Sequence, residues 1–263
     1  MDFSQQVIWI TGASSGLGRA MAKEFAARGG RVVVTARRES LLKQLVEEIR
    51  AGGGQADLEV CDVTDQEQLR RSMERIVISR GRLDVAVANA GFGVSGRFEQ
   101  LTAADWERQM ALNVTALAMT ARYALPHLRR RSGRLVLIGS ASAFVPMPNA
   151  APYAASKAAV HSIGESLQVE LAGTGVSCTT IHPGFVDSNI ARVDREGVFH
   201  ADASDPRPAR LMWPTDKAAR VMVRAVWKRR KVCVFTGHGR LAYWIGRLCP
   251  PLARQVMGKM ATR

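Results

Sequence analysis

Tyr153 and Lys157 stand four residues apart in "PYAASKAAV", an alanine-rich stretch of helical character. Positions i and i+4 share a helix face, so the spacing brings a phenol and an ammonium together. A phenol with an ordinary pKa of about 10 exchanges protons poorly at neutral pH. A neighbouring ammonium favours the phenolate and is expected to lower that pKa. The pair is therefore a candidate for proton transfer, although the same spacing also arises by chance on surface helices. A second candidate lies near the start, where "VIWIT" runs into "TGASSGLG". Glycines at 12, 16 and 18 allow a tight turn and close approach of a pyrophosphate to backbone N–H groups at a helix N-terminus. Gly12, Ser14, Ser15, Gly16, Leu17 and Gly18 are the candidate contacts.

The choice of dinucleotide is read from charge. About 20 residues beyond such a turn, proteins that bind NAD tend to place an acid for the ribose 2′-hydroxyl. Here the second apolar run ends "TARRES", with Arg37 and Arg38 and no acid before Glu39. A guanidinium can hold a 2′-phosphate by paired charge-assisted hydrogen bonds, whereas a carboxylate would repel it. NADP(H) is the expected cofactor, with Arg37, closer to the strand end, the preferred contact. Asp62 and Val63 follow the third run, where the Asp62 carboxylate could accept from an adenine amino group. Asn89, Ala90 and Gly91 end the fourth, where small residues admit a cofactor to the backbone.

The elements that must position these residues are short β-branched runs alternating with amphipathic segments. Strands are expected at 7–11, 31–36, 56–61, 83–89, 134–140, 176–182 and 231–236, with a helix starting near Thr215 as its N-cap. Such alternation predicts a doubly wound α/β fold with a parallel sheet covered on both faces.

With these motifs in order, the sequence resembles the classical short-chain dehydrogenase/reductase family. The resemblance spans about residues 6–190 and rests on "TGASSGLG", "ANAG", Asn113 in "LNVTA", Ser140 thirteen residues before Tyr153, "YAASK" and "HPGFVDS". Ala88 and Ser188 depart from the usual asparagine and threonine, and Ser188 keeps the hydroxyl. The resemblance implies a Rossmann-type fold and an enzyme exchanging hydride between a nicotinamide and a carbonyl or secondary alcohol. It implies Tyr153 as general acid/base, Lys157 as ribose anchor and pKa modulator, and Ser140 as hydrogen-bond donor to the substrate oxygen. Asn113 would hold a water linking Lys157 to solvent, and Pro183, Gly184, Val186 and Ser188 would flank the cofactor. It further implies a homodimer or homotetramer joined through helices around 104–131 and 152–172. A 3-oxoacyl-thioester reductase and a cofactor-binding regulatory or scaffold protein with little turnover are the alternatives.

Apolar residues at Phe92, Phe144, Val145, Met147, Pro148, Phe185 and 211–213 are expected to wall a lipophilic substrate, beneath a polar lid from about Asn189 to Trp213. Arg192 and Arg195 in that lid could meet an anionic group on the substrate. The five histidines never pair at ligand spacing, so no metal site is expected, and His182 is read as packed or backbone-bonded. Four scattered cysteines form no C-x-x-C, and with no signal-peptide pattern a reducing, cytoplasmic setting is expected. The net charge of +14 is uneven: from residue 206 onward there are 14 Lys/Arg and one acid, Asp216, against 23 basic and 22 acidic residues before it. Residues 1–238 are read as one dehydrogenase domain and 239–263 as a basic amphipathic segment broken at Pro250-Pro251. In that segment Leu241, Trp244, Ile245 and Leu248 share a face. It is expected either to rest on an anionic membrane surface or to pack on the domain or a subunit. No groove-reading motif accompanies the charge, so nucleic acid is not an expected partner.

Overall fold

A computed structural model describes residues 1–205 and 207–261. Seven strands form one parallel sheet in the order β3-β2-β1-β4-β5-β6-β7: β1 (Val7–Thr11), β2 (Arg31–Ala36), β3 (Gln55–Val60), β4 (Val85–Ala88), β5 (Arg134–Ile138), β6 (Ser177–His182) and β7 (Val232–Val234). The inner strands are buried along almost their whole length because helices cover both faces, and β1 and β4 are accordingly apolar apart from Thr11. Trp9 and Val33 pack into one layer, while Ile8, Ile10 and Val34 pack into the other. Strands β3, β4, β5 and β7 end before the apolar runs do. Asn89, Gly139 and Ser140 therefore leave the ladder, which frees them to face a ligand.

The helices are α1 (Gly16–Ala27), α2 (Glu39–Ala51), α3 (Gln66–Arg80), α4 (Ala103–Met110), α5 (Leu117–Arg129), α6 (Ala151–Glu170), α7 (Thr215–Trp227), α8 (Gly237–Leu248) and α9 (Pro250–Ala261). Their ends follow local chemistry. Asp65 caps α3 by accepting from the Glu67 and Gln68 N–H groups, and Gly81 ends it in the left-handed region at φ 70°. Thr102 and Asp105 close a reciprocal capping box on α4. The continuous helix expected over 104–131 is interrupted: Ala111–Ala116 form a π-helical turn between α4 and α5. Such turns recur at functional sites, and this one carries Asn113. Thr215 proves to be the first residue of α7, not its cap, and its hydroxyl donates to the Asp187 carbonyl.

The basic C-terminal segment is two helices meeting at Cys249, with Thr236 capping α8 through the Gly239 N–H. Thus α8 begins two residues ahead of position 239. It is anchored to the sheet domain, since Tyr243 packs edge-on against Phe144 at 4.7 Å between ring centroids. The His238 Nε2 accepts from the Phe185 N–H at 2.7 Å. Pro206, Thr262, Arg263 and the side chains of Lys259, Met260 and Ala261 lie outside the description. Among the described residues, no helix is long and apolar enough to cross a membrane.

Candidate active site

The sheet order reverses between β1 and β4, and a cleft of about 670 Å³ opens there at the carboxyl ends of the strands. This is the ligand crevice of an open parallel sheet. One end is the β1–α1 turn. Gly12 has φ 67°, and a Cβ on it would lie 2.6 Å from the Ala90 Cα. A Cβ on Gly18 would lie 2.5 Å from the Asn89 Nδ2. Only glycine lets the turn, the start of α1 and the end of β4 approach this closely. Asn89 fixes the approach by donating to the Thr11 and Gly12 carbonyls at 2.9 and 3.2 Å. No side chain caps the N-terminus of α1, so its first N–H groups and the helix dipole are left for an anion. These features fit a dinucleotide pyrophosphate.

Ser14, Ser15, Gly16 and Leu17 line the cleft, as do Arg37, Arg38, Asp62 and Val63 on the side of β2 and β3. Asn89, Ala90 and Gly91 border it after β4, and Pro183, Gly184, Val186 and Ser188 after β6. Gly18 alone among the expected cofactor residues lies behind this surface, in the packing contact just described. The two arginines differ in a way that the sequence reading does not anticipate. Arg38 reaches over the phosphate turn and donates to the Ser14 and Ser15 hydroxyls at 2.8 and 3.0 Å. Burial and the charge of Arg37 lower its pKa. Arg37 is more exposed and leans on Asp62 at 3.9 Å. Asp62 in turn accepts from the backbone and side chain of Thr64. The guanidinium nearest the phosphate turn is thus Arg38.

Ser140, Tyr153 and Lys157 meet at the other side of the cleft. Ser140 sits just past β5, where its Oγ accepts from the Ser142 N–H at 3.2 Å. Its carbonyl lies 3.1 Å from the His182 Nδ1. The His182 ring is fully buried and held edge-on by Phe144 and His161. Burial and the neighbouring His161 push its pKa down to about 3. A neutral His182 therefore donates through Nδ1 and fixes the backbone that presents Ser140, while its Nε2 has no hydrogen-bond partner among the described residues. His182 is backbone-bonded, as expected from sequence, but its link to Ser140 crosses from β6 to β5 and has no local signal.

Lys157 extends from α6 and donates to the Ile138 carbonyl at 2.9 Å. Its Nζ lies 5.8 Å from the Tyr153 ring centroid. It is buried, and that burial brings its pKa down to about 8. The expected lowering of the tyrosine pKa does not follow. Burial raises the Tyr153 pKa, with the Ser140 hydrogen bond opposing first and the more distant charge of Arg207 second. The phenol of the free protein is thus firmly protonated, an acid ready to donate.

Asn113 is fully buried in the π-helical turn rather than exposed to the cleft. Both of its amide protons serve protein groups, the Phe92 carbonyl and the Ser156 hydroxyl, each at 3.0 Å. Its Oδ1 accepts from the Phe92 N–H, which leaves one lone pair for the relay role. Gln109, which the sequence does not single out, binds the next stretch of the same loop through the Phe92 carbonyl and the Val94 N–H. Together they clamp the loop after β4.

The expected substrate walls are largely misplaced. Phe92 lines the cleft. Phe144 instead packs among His161, His182 and Tyr243, and Phe185 stacks on His238. The apolar lining comes from Leu112, Ile138 and the segment after Ser188, through Ile190, Val193, Val198 and Phe199. The lid folds on itself by a bridge between Val193 and Phe199. Arg195 points away, 4.0 Å from Asp105 and bonded to the Gln100 carbonyl, and neither it nor Arg192 lines the cleft. Arg207 does line it, tying the lid down by donating to the Val186 and Ser188 carbonyls. Among the described residues no group of His, Cys, Asp and Glu could hold a metal ion.

The short chain dehydrogenase family model matches residues 6–198, from β1 into the lid. The chain belongs to the short-chain dehydrogenase/reductase family. It is 32% identical over 96% of its length to "Probable oxidoreductase EphD" of Mycobacterium tuberculosis, but spans only 44% of that protein. It is also 32% identical to "11-beta-hydroxysteroid dehydrogenase A" of Sesamum indicum, covering 98% of this chain and 76% of that one. A solved short-chain dehydrogenase/reductase from Burkholderia phymatum, in complex with NAD, superposes with a TM-score of 0.80 at 27% identity, over 89% of this chain and 90% of that one. A dehydrogenase/reductase from Sinorhizobium meliloti gives the same TM-score at 29% identity, over 90% and 96%.

Proposed function

We propose that the protein is an NADP(H)-dependent oxidoreductase acting on the carbonyl or secondary alcohol of a lipophilic substrate. The observation that carries this reading is the meeting of a half-buried Tyr153 with Ser140 and the buried Lys157 at one end of a cleft whose other end is an uncapped helix N-terminus under Arg38. When bound, a nicotinamide supplies or takes up hydride. Tyr153 donates its phenolic proton to the substrate oxygen during reduction and recovers one during oxidation. Ser140 donates to the same oxygen as charge develops there. Lys157 holds its ammonium beside the phenol and is placed to bind ribose hydroxyls. Ser14, Ser15 and the α1 N-terminus hold the pyrophosphate, and Arg38, with Arg37 beside it, holds the 2′-phosphate. The apolar side chains of Leu112, Ile190, Val193 and Phe199 support a lipophilic substrate, and the 11-beta-hydroxysteroid dehydrogenase name borne by a relative supports the same class.

The test is a titration with NADPH and NADH, followed by turnover of a panel of lipophilic ketones and acyl thioesters by the protein and its Tyr153→Phe variant. Removing the general acid alone lowers turnover by roughly 10²–10⁴, with NADPH binding kept. Retention of most activity in the variant would overturn the assignment of Tyr153.

A further inference from the structure

Among the described residues, five of the twelve exposed large apolar side chains fall within 241–256. On α8, Leu241, Trp244 and Leu248 are 61%, 57% and 75% exposed, and spacings of three and four put them on one face. Leu252 and Val256 continue the pattern on α9 and are also exposed. These helices already have an inward side: Tyr243 meets Phe144, Ala253 is buried, and any side chain at Gly246 would collide with the Phe144 carbonyl. The outward stripe is thus additional to the packing that anchors the helices. Such a stripe usually marks an interaction surface.

Charge decides the class of partner. Residues 239–263 contain Arg240, Arg247, Arg254, Lys259 and Arg263 and no acid, and the first three are exposed. The nearest carboxylate is Glu165 on α6, 3.6 Å from Arg247. Among the described residues Arg240 and Arg254 pair with no carboxylate, and a two-fold contact with a second copy would place these charges against themselves. A nucleic acid would match the charge but leave Leu248, Leu252 and Val256 in water. A surface with anionic headgroups above an apolar layer satisfies both, and Trp and Leu beside Arg suit a helix lying in such an interface. We infer that the outward faces of α8 and α9 dock on an anionic lipid surface. The inward side of α8 is held to the loop after β5 through Tyr243 on Phe144 and to the loop after β6 through His238 on Phe185, the loops that also carry Ser140 and Pro183–Gly184 to the cleft. That a lipophilic substrate is drawn from this surface rests on the function proposed above. Docking itself does not, and its assay requires no turnover.

The test is co-sedimentation of the full chain with phosphatidylcholine vesicles, with and without about one third phosphatidylglycerol, at low and high salt. The expected result is pelleting with anionic vesicles at low salt, at least about tenfold weaker binding to neutral ones, and weakening by salt. Replacing Leu241 and Leu248 by serine, at positions already in solvent, lowers affinity for anionic vesicles roughly tenfold at both salts. Arg254→Glu weakens binding mainly at low salt, and both variants keep the NADPH turnover of a water-soluble ketone. Protein left in the supernatant with anionic vesicles at low salt overturns the inference, as does equal binding to neutral vesicles. Loss of a dimer in the leucine variant, with vesicle binding unchanged, overturns it in favour of a second copy.

Discussion

Replacing Lys157 by methionine separates what the side chain does for function from what it does to stability. The ammonium is buried on α6 and its protein partner is the Ile138 carbonyl. Its pKa falls from 10.5 to about 8, with burial as the cause. A fall of that size corresponds to about 3 kcal/mol held against folding at neutral pH. Methionine removes this cost but leaves the Ile138 carbonyl without its partner, a loss of about 1–3 kcal/mol. The opposing terms leave Lys157→Met as stable as the parent or up to about 2 kcal/mol more stable at pH 7, while cofactor affinity and turnover collapse. The sign with pH follows from the lowered folded-state pKa. The cost of the lysine is fully present below about pH 8 and is relieved as pH rises towards its unfolded value of 10.5. Any advantage of the variant therefore shrinks over that window. Urea unfolding of both proteins at pH 7, 8, 9 and 10 measures it. A variant less stable by more than about 1 kcal/mol at pH 7, or a difference that does not move between pH 8 and 10, refutes the reasoning.

Further outcomes follow from the same geometry. NADPH binds at least about tenfold more tightly than NADH, a difference of about 1.4 kcal/mol. Arg38→Ala removes more of that preference than Arg37→Ala, and equal cofactor affinities in the parent would refute the 2′-phosphate assignment. Because burial raises the Tyr153 pKa, the neutral phenol persists through about pH 6–8. Carbonyl reduction should hold steady there, while the log of alcohol oxidation rises with a slope near one per pH unit; a flat oxidation profile counts against Tyr153 as the base. His182→Phe keeps a packed ring but withdraws the donor from the Ser140 carbonyl. It is expected to lower kcat about tenfold without changing NADPH affinity, with the pH profile intact and partial rescue by His182→Asn. An unchanged kcat rules out a positioning role.

The fold was legible because its signals are local. Short β-branched runs and the amphipathic segments between them each act over a few residues and agree on one architecture, and the caps at Asp65 and Thr102–Asp105 are equally local. The turn at 12–18 and the Tyr153–Lys157 spacing are local too. What stayed hidden depends on contacts between distant segments. Whether Phe144 faces a substrate or a histidine is settled by α8, about 100 residues later. Which arginine lies over the phosphate turn depends on how residue 38 leaves β2. The π-helical turn at Asn113 changes a register by one residue and leaves no composition signal. The direction of the Tyr153 shift also escaped, because sequence spacing reveals a neighbouring charge but not the desolvation that raises the phenol's pKa.

The same burial explains why the site violates rules that the rest of the chain obeys. Lys157, Tyr153 and His182 are titratable groups set at the carboxyl ends of β5 and β6, and His182 has a ring nitrogen without a partner. Buried polar groups left this way destabilise a fold by a few kcal/mol each, and apolar residues would pack there at no such cost. The two inner strands can hold them because Leu135, Leu137 and Ile181 are fully or almost fully buried immediately behind. Lys157 and His182 are also tied to backbone, Lys157 to Ile138 and His182 to Ser140, and Asn113 beside them holds the backbone of Phe92. Backbone at the end of a packed strand, and just beyond it, moves little when a proton moves. A charge or proton arriving at Tyr153 therefore meets fixed dipoles instead of reorganising ones, the condition under which electrostatic stabilisation of a transition state is strongest.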